Sequence, residues 1–302
     1  MSGAMQEEQE MSSEPISRRR QRSQAAIRVT WLFAGLGKYA SLVAFCVILM
    51  LPLVVILFAS FKSAKEYLTT SPITPPQDWL NFSNFGTAFF DGDMLQGFGN
   101  TTIILVASIV ATILIGTMTA YALDRFTFRF KRVIFALFLI ATLVPGVTTQ
   151  VATYQVVNGL HLINTYWAAI ILFSGTDIVS VYIFIQFMQS IPKSLDEAAM
   201  LEGASRFMIY RRIILPLLQP AIATVIIIKG IAIYNEFYIP FLYLPSPDLQ
   251  VISTSLFHFT GPFAASQQII AAGIIIVIAP TLVIFLLLQR FIYNGITQGA
   301  TK

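Results

Sequence analysis

Three ionisable residues stand inside long apolar stretches of this chain: Asp177, Lys229 and Glu236. A charged group in hydrocarbon is costly and normally faces a partner or a water-filled cavity, so each marks a pathway, a relay or an ion pair. Lys229 and Glu236 are seven residues apart, which on a helix places them on one face about 10 Å apart. Tyr234 and Asn235 lie beside them. Such a stripe can bond the hydroxyls of a polar cargo, or it can hold Asp177 or a second subunit; both readings stay open. Asp177 follows Gly175-Thr176, where glycine permits a break that frees carbonyls near the membrane midplane.

Other chemistries find no support. The single cysteine, Cys46, excludes an intramolecular disulfide framework, and with only His161 and His258 no metal cluster is expected. No Ser/His/Asp or Cys/His set has a plausible spacing, so no catalytic residue is expected. Gly35-Leu36-Gly37-Lys38 looks briefly like a phosphate loop, but Tyr39 replaces the required Ser or Thr and Leu32 stands where the first glycine belongs. If this chain pumps, its fuel is consumed by another chain.

The elements that must position these residues are membrane spans. Of 302 residues, 56% are hydrophobic and only 11% charged, against roughly 25% charged in soluble domains. Nine of the charged residues fall within the first thirty-one. A span needs about 20 apolar residues, and six segments qualify, near 39–61, 100–123, 133–154, 165–189, 217–243 and 268–289. Backbone groups in lipid must pair internally, and continuous runs of this length suit helices rather than barrel strands. The fold class is all-α, a polytopic membrane protein with six transmembrane helices.

Basic residues set the orientation, because Lys and Arg in short loops stay on the cytoplasmic side. With both termini inside, sixteen of the 19 are cytoplasmic, Lys62 and Lys65 are external and Lys229 is within a span. The net charge of +4 thus reports topology rather than nucleic-acid binding. The expected organisation is a disordered cytoplasmic tail (1–36), a first span (37–61), an extracytoplasmic loop (62–97), a core of five spans (98–293) and a cytoplasmic tail (294–302). Asn81-Phe82-Ser83 and Asn100-Thr101-Thr102 match the glycosylation sequon, a pattern that also arises by chance. Pro145-Gly146 in the third span reads as a plain kink.

The connection between the fourth and fifth spans is the most informative stretch. Ser194 and Glu197 have the spacing of a capping box, Ala198, Ala199, Met200 and Leu201 continue a helix, and Gly203 allows a sharp turn. A second short helix can run from Ser205 to Ile214, with Pro216 and Pro220 marking re-entry into the bilayer. A turnaround needs only about 2–8 residues. This one takes nearly thirty and is expected to expose Ala198, Ala199, Gly203 and Ala204, small residues that let a partner's backbone approach.

Glu197-Ala198-Ala199, then Gly203-Ala204, then Leu215-Pro216 resembles the EAA loop of binding-protein-dependent ABC importer permeases, with Glu202 where that family usually has Asp. Tyr121-Ala122-Leu123 with Arg125-Phe126, Pro145, Leu162-Ile163-Asn164-Thr165-Tyr166, Ile191-Pro192-Lys193 and Asn235-Glu236 are similar to the carbohydrate-uptake, maltose-type branch. The resemblance implies the type I permease fold and a pathway shared with a second permease subunit, giving a heterodimer. It also implies two cytoplasmic ABC ATPase subunits that carry ATP and Mg while this chain binds no cofactor. An extracytoplasmic solute-binding protein, a sugar or oligosaccharide cargo and a bacterial inner-membrane location complete the expectation. Ser194, Glu197, Ala198, Ala199, Glu202, Gly203, Ala204, Leu215 and Pro216 would form the coupling loop within 191–216. Asp177, Lys229, Tyr234, Asn235 and Glu236 would line the pathway. An ion-coupled secondary transporter is an alternative, using Asp177 and Glu236 as relays, as is a membrane scaffold for a cytoplasmic protein.

Overall fold

The computed structural model describes residues 16–175, 177–260 and 266–300, and among them every regular element is helical. In chain order these are α1 (Ile16–Phe61), α2 (Ala64–Thr69), α3 (Ser83–Asp91), α4 (Met94–Arg125), α5 (Lys131–Leu143), α6 (Gly146–Gly159), α7 (Tyr166–Gly175) and α8 (Ile178–Gln189). There follow α9 (Ser194–Leu201), α10 (Arg206–Ile209), a π-helical segment Tyr210–Ile214, α11 (Leu215–Leu217), α12 (Gln219–Asn235), α13 (Tyr238–Tyr243), α14 (Ile252–Ser255) and α15 (Gln267–Ala300).

The chain divides into two units, Met1–Phe58 and Ala59–Lys302. In the first, α1 begins at Ile16, so residues 16–36 of the tail expected to be disordered are helical; residues 1–15 lie outside the described residues. Arg, Gln and Ala before the apolar stretch are good helix formers, and extending an existing helix needs no new nucleus. Gly35 to Lys38 lie within this helix, so no phosphate loop forms. Likewise α15 runs to Ala300 through most of the expected C-terminal tail.

Gly37–Phe61, Met94–Arg125 and Gln267–Leu287 are each long and apolar enough to cross a bilayer, and three bent helix pairs bring the candidate spans to six. The third span departs most from expectation. Instead of a plain kink, α5 and α6 meet at 105°. Pro145 has no N–H to continue the helix and forces the preceding residue out of the helical region, and Val144 is extended with ψ 115°. The fourth span is interrupted between Gly175 and Ile178, as the glycine there suggests. In the fifth, Arg206–Leu217 and α12 meet at 69° between Pro216 and Pro220. The helix then ends at Asn235, short of the expected Tyr243, because Glu236 turns extended.

In the second unit, α4 is the central helix. At its C-terminal end, Ala120, Tyr121 and Leu123 share one buried cluster with Phe184 and Met188 of α8 and Val225 of α12. Gly116 brings α4 close to α8: a Cβ at this position would lie 2.9 Å from the Phe184 ring. Near its N-terminal end, buried Asn100 donates to the carbonyls of Asp248 (2.9 Å) and Gln250 (2.8 Å) and accepts from the Tyr166 hydroxyl (2.7 Å). Its amide is therefore committed to packing, whatever the sequon suggests. The amide of Asn81 donates to Phe61 O at 3.2 Å. By contrast α5 buries no residue, the condition of a helix whose surroundings are lipid or another subunit.

Candidate functional site

The connection 191–216 folds as the expected helix, turn and helix. Its turn is a Schellman motif: Gly203 N–H bonds Met200 O and Ala204 N–H bonds Ala199 O, both at 3.0 Å, with Gly203 at φ +83°. The second helix is capped by Ser205, whose hydroxyl accepts from Met208 N–H at 3.3 Å. It runs on through the π segment, a form often found at functional sites.

Two expectations for this loop are corrected. Ser194 and Glu197 do not make a capping box: α9 starts one residue earlier in its geometry, with helical Lys193 at the N-cap position and no side-chain cap. Asp196 and Glu197 in the first turn favour the helix dipole instead. The small residues are also not all exposed. Ala198, Glu202 and Gly203 face outward, whereas Ala199 is buried and Ala204 half-buried. Ala199 sits with Ile209, Tyr210 and Ile214 in the same core as the spans, so the loop is packed, not pendant. Leu215 is half-buried and Pro216 exposed. The outward face also carries apolar residues that the reading of small side chains missed: Leu201 is 91% exposed, Phe207 64% and Met208 42%.

The loop is held by charges whose role sequence reasoning did not anticipate. Arg125, the last residue of α4, pairs through Nε with Asp196 Oδ2 at 2.6 Å and through Nη1 with Asp124 Oδ2 at 2.7 Å. It also donates from Nη2 to Ile191 O at 2.9 Å. Tyr210 and Thr117 share a hydroxyl hydrogen bond at 2.8 Å, and the Arg206 guanidinium lies 5.5 Å from the Phe126 ring centroid. The available signal was positional: a basic residue ends one helix and an acidic residue opens another.

The intramembrane residues form two separate groups rather than one stripe. Lys229 reaches across to the break in the fourth span, 3.0 Å from Phe173 O and 3.3 Å from Asp177 Oδ2. Asp177 also accepts from Ser180 Oγ. Glu236 lies beyond the end of α12, where Oε1 accepts from Tyr238 N–H (2.8 Å) and Ile239 N–H (3.3 Å), opening α13. Tyr234 donates its hydroxyl to Val277 O of α15 at 2.9 Å. Asn235 is exposed, its amide donating to Ile231 O at 2.8 Å. In α6 the polar residues Thr148, Thr149 and Gln155 are also exposed, and a reading for charges passes over them. Among the described residues no group of acidic, His or Cys side chains could hold a metal ion.

The profile of binding-protein-dependent transport system inner membrane components matches residues 109–298. This chain belongs to that family. The matched region takes in both the packed loop and the knot around Lys229. The chain is 30% identical to the melibiose/raffinose/stachyose import permease protein MelC of Bacillus subtilis over 83% of its own length and 91% of the relative's. It is also 30% identical to the galactooligosaccharides transport system permease protein GanQ of the same organism, over 88% and 95%. Among solved structures, a chain of a bacterial ABC transporter involved in import of the acidic polysaccharide alginate superposes with a TM-score of 0.74 at 20% identity, covering 85% of this chain and 96% of that one. The fold is thus that of ABC importer permeases, and the protein is a multi-pass membrane protein.

Proposed function

We propose that this chain is the permease subunit of an ATP-driven importer of sugars or oligosaccharides. It forms half of a pathway completed by a second permease subunit, with both termini in the cytoplasm of a bacterial cell. The observation that carries this reading is the loop 191–216: a rigid helix, turn and helix with exposed Leu201, Phe207 and Met208, built into the core of the spans. Relatives named for oligosaccharide import support the cargo class, and a similar fold occurs in a transporter bound to an alginate pentasaccharide-loaded periplasmic protein.

In this scheme two separate ATPase subunits bind ATP and Mg and seat the loop, with Glu197, Ala198, Glu202 and Gly203 on the contact face. A solute-binding protein delivers cargo from outside. Closure of the ATPases moves the two loops together, and the spans rock as rigid bodies between inward- and outward-open states. Exposed Asn235 is the pathway candidate best placed to meet a sugar hydroxyl, while Asp177, Lys229 and Tyr234 hold the surrounding helices in position.

The test is reconstitution with the ATPase subunits and the solute-binding protein. Gly203→Asp should leave the permease inserted but abolish cargo-stimulated ATP hydrolysis. Stimulation at the unmodified level would remove the loop from the mechanism.

A further inference from the structure

We infer that Arg125 and Asp196 are positioning residues, a strut that passes movement of the docking loop into the second span. The inference rests on the reading of this chain as an ATP-driven permease and adds the route that the stroke takes. The two side chains are 2% and 5% exposed. They lie 71 positions apart in sequence, yet they join the C-terminal end of α4 to the first turn of α9. At each end the charge has the sign favoured by the helix dipole, basic at a C-terminus and acidic at an N-terminus. The arrangement links the two helices end to end.

A buried ion pair is a weak source of stability, since apolar residues of similar volume often serve as well. What the pair supplies instead is fixed geometry. A guanidinium is planar and rigid; this one is fixed by hydrogen bonds to Asp124 and to Ile191 O, which leave it in ion-pair contact with Asp196. The second half of the loop meets the same helix through Tyr210 on Thr117 and Arg206 over Phe126. Both arms of the loop therefore grip the last few turns of α4. That helix runs unbroken for 32 residues towards Asn100, which holds the backbone at Asp248 and Gln250. A displacement of the loop is delivered to α4 as a unit and carried to the opposite end of the bundle.

The experiment uses the full complex in proteoliposomes with the ATPase subunits, the solute-binding protein and a labelled oligosaccharide. Arg125→Gln and Asp196→Asn should each lower ATP-driven uptake by about tenfold, equivalent to about 1.4 kcal/mol. The ATPase subunits should still copurify at the unmodified stoichiometry, and Arg125→Lys, which keeps the charge, should retain clearly more uptake than Arg125→Gln. Unchanged uptake in Arg125→Gln, or a Lys variant no better than Gln, overturns the strut. Loss of the ATPase subunits from both neutral variants also overturns it, because the pair would then serve only to build the fold. If the unmodified complex shows no ATP-driven uptake of any oligosaccharide, the functional reading itself fails, and the strut with it.

Discussion

The ammonium of Lys229 on the fifth span lies 3.0 Å from the carbonyl oxygen of Phe173 on the fourth. Phe173 contributes one of the last four carbonyls of α7, groups that a helix end leaves without an intrahelical partner. The same ammonium is 3.3 Å from Asp177, at the start of α8. One cation thus satisfies both sides of a break inside the bundle, where water is scarce and an unpaired group is expensive.

Removing one member of that pair leaves the other, half-buried charge without its counter-ion. Lys229→Met or Asp177→Leu should therefore destabilise the protein by about 1–3 kcal/mol, seen as a lower unfolding temperature in detergent. Neutralising both in Asp177→Asn/Lys229→Gln should recover much of the loss. If the double variant is as unstable as the singles, the charges do not compensate one another.

At Gly203 the backbone conformation, rather than lack of space, limits substitution: φ is +83° and nothing lies within 4 Å of an added Cβ. A non-glycine residue there costs roughly 1–2 kcal/mol, and Asn tolerates the left-handed region better than β-branched residues do. Uptake should accordingly fall in the order Gly, Asn, Val at this position. A Gly203→Val variant that transports as well as Gly203→Asn would show that turn geometry is not the constraint.

The glycines of the span interfaces should separate in sign. At Gly116 a Cβ would lie 2.9 Å from the fully buried Phe184 ring, so Gly116→Ala should destabilise by about 1–3 kcal/mol through overpacking. At Gly230 the nearest atom is 3.8 Å away, and Gly230→Ala should stabilise α12 by about 0.5–1 kcal/mol because glycine is costly within helices. Thermal unfolding of the two variants side by side checks this opposition.

Tyr234 and Asn235 are adjacent but should behave differently. Tyr234→Phe deletes a hydrogen bond to Val277 O, costing about 1 kcal/mol of stability with the KM for uptake unchanged. Asn235→Ala should raise that KM with assembly intact. A KM shift confined to Tyr234→Phe would assign the pathway role to the tyrosine instead.

Several of these residues show how far the linear pattern reaches. The placement of Gly203 at the turn and the interruption after Gly175 were legible, because each depends on the conformational freedom of a residue and its immediate neighbours. The lack of a capping box at Ser194 was not, since the spacing that permits a box does not prevent Lys193 from adopting helical angles. Lys229 and Glu236 have the spacing of one helical face, but the helix ends at Asn235 and the two carboxylate and ammonium groups serve different neighbours. The buried Arg125–Asp196 pair was counted by its charge alone.

Hydropathy was enough for the all-α class, the six candidate spans and the long connection at 191–216, because the cost of unpaired backbone groups in lipid acts on any sequence of that composition. The 105° break at Pro145, the burial of Ala199 and the partners of Arg125, Lys229 and Tyr234 belong to the tertiary structure. They depend on which distant groups come within hydrogen-bonding reach when the helices pack, and a hydrogen bond needs its partners within about 3.5 Å, a proximity that spacing along the chain does not encode.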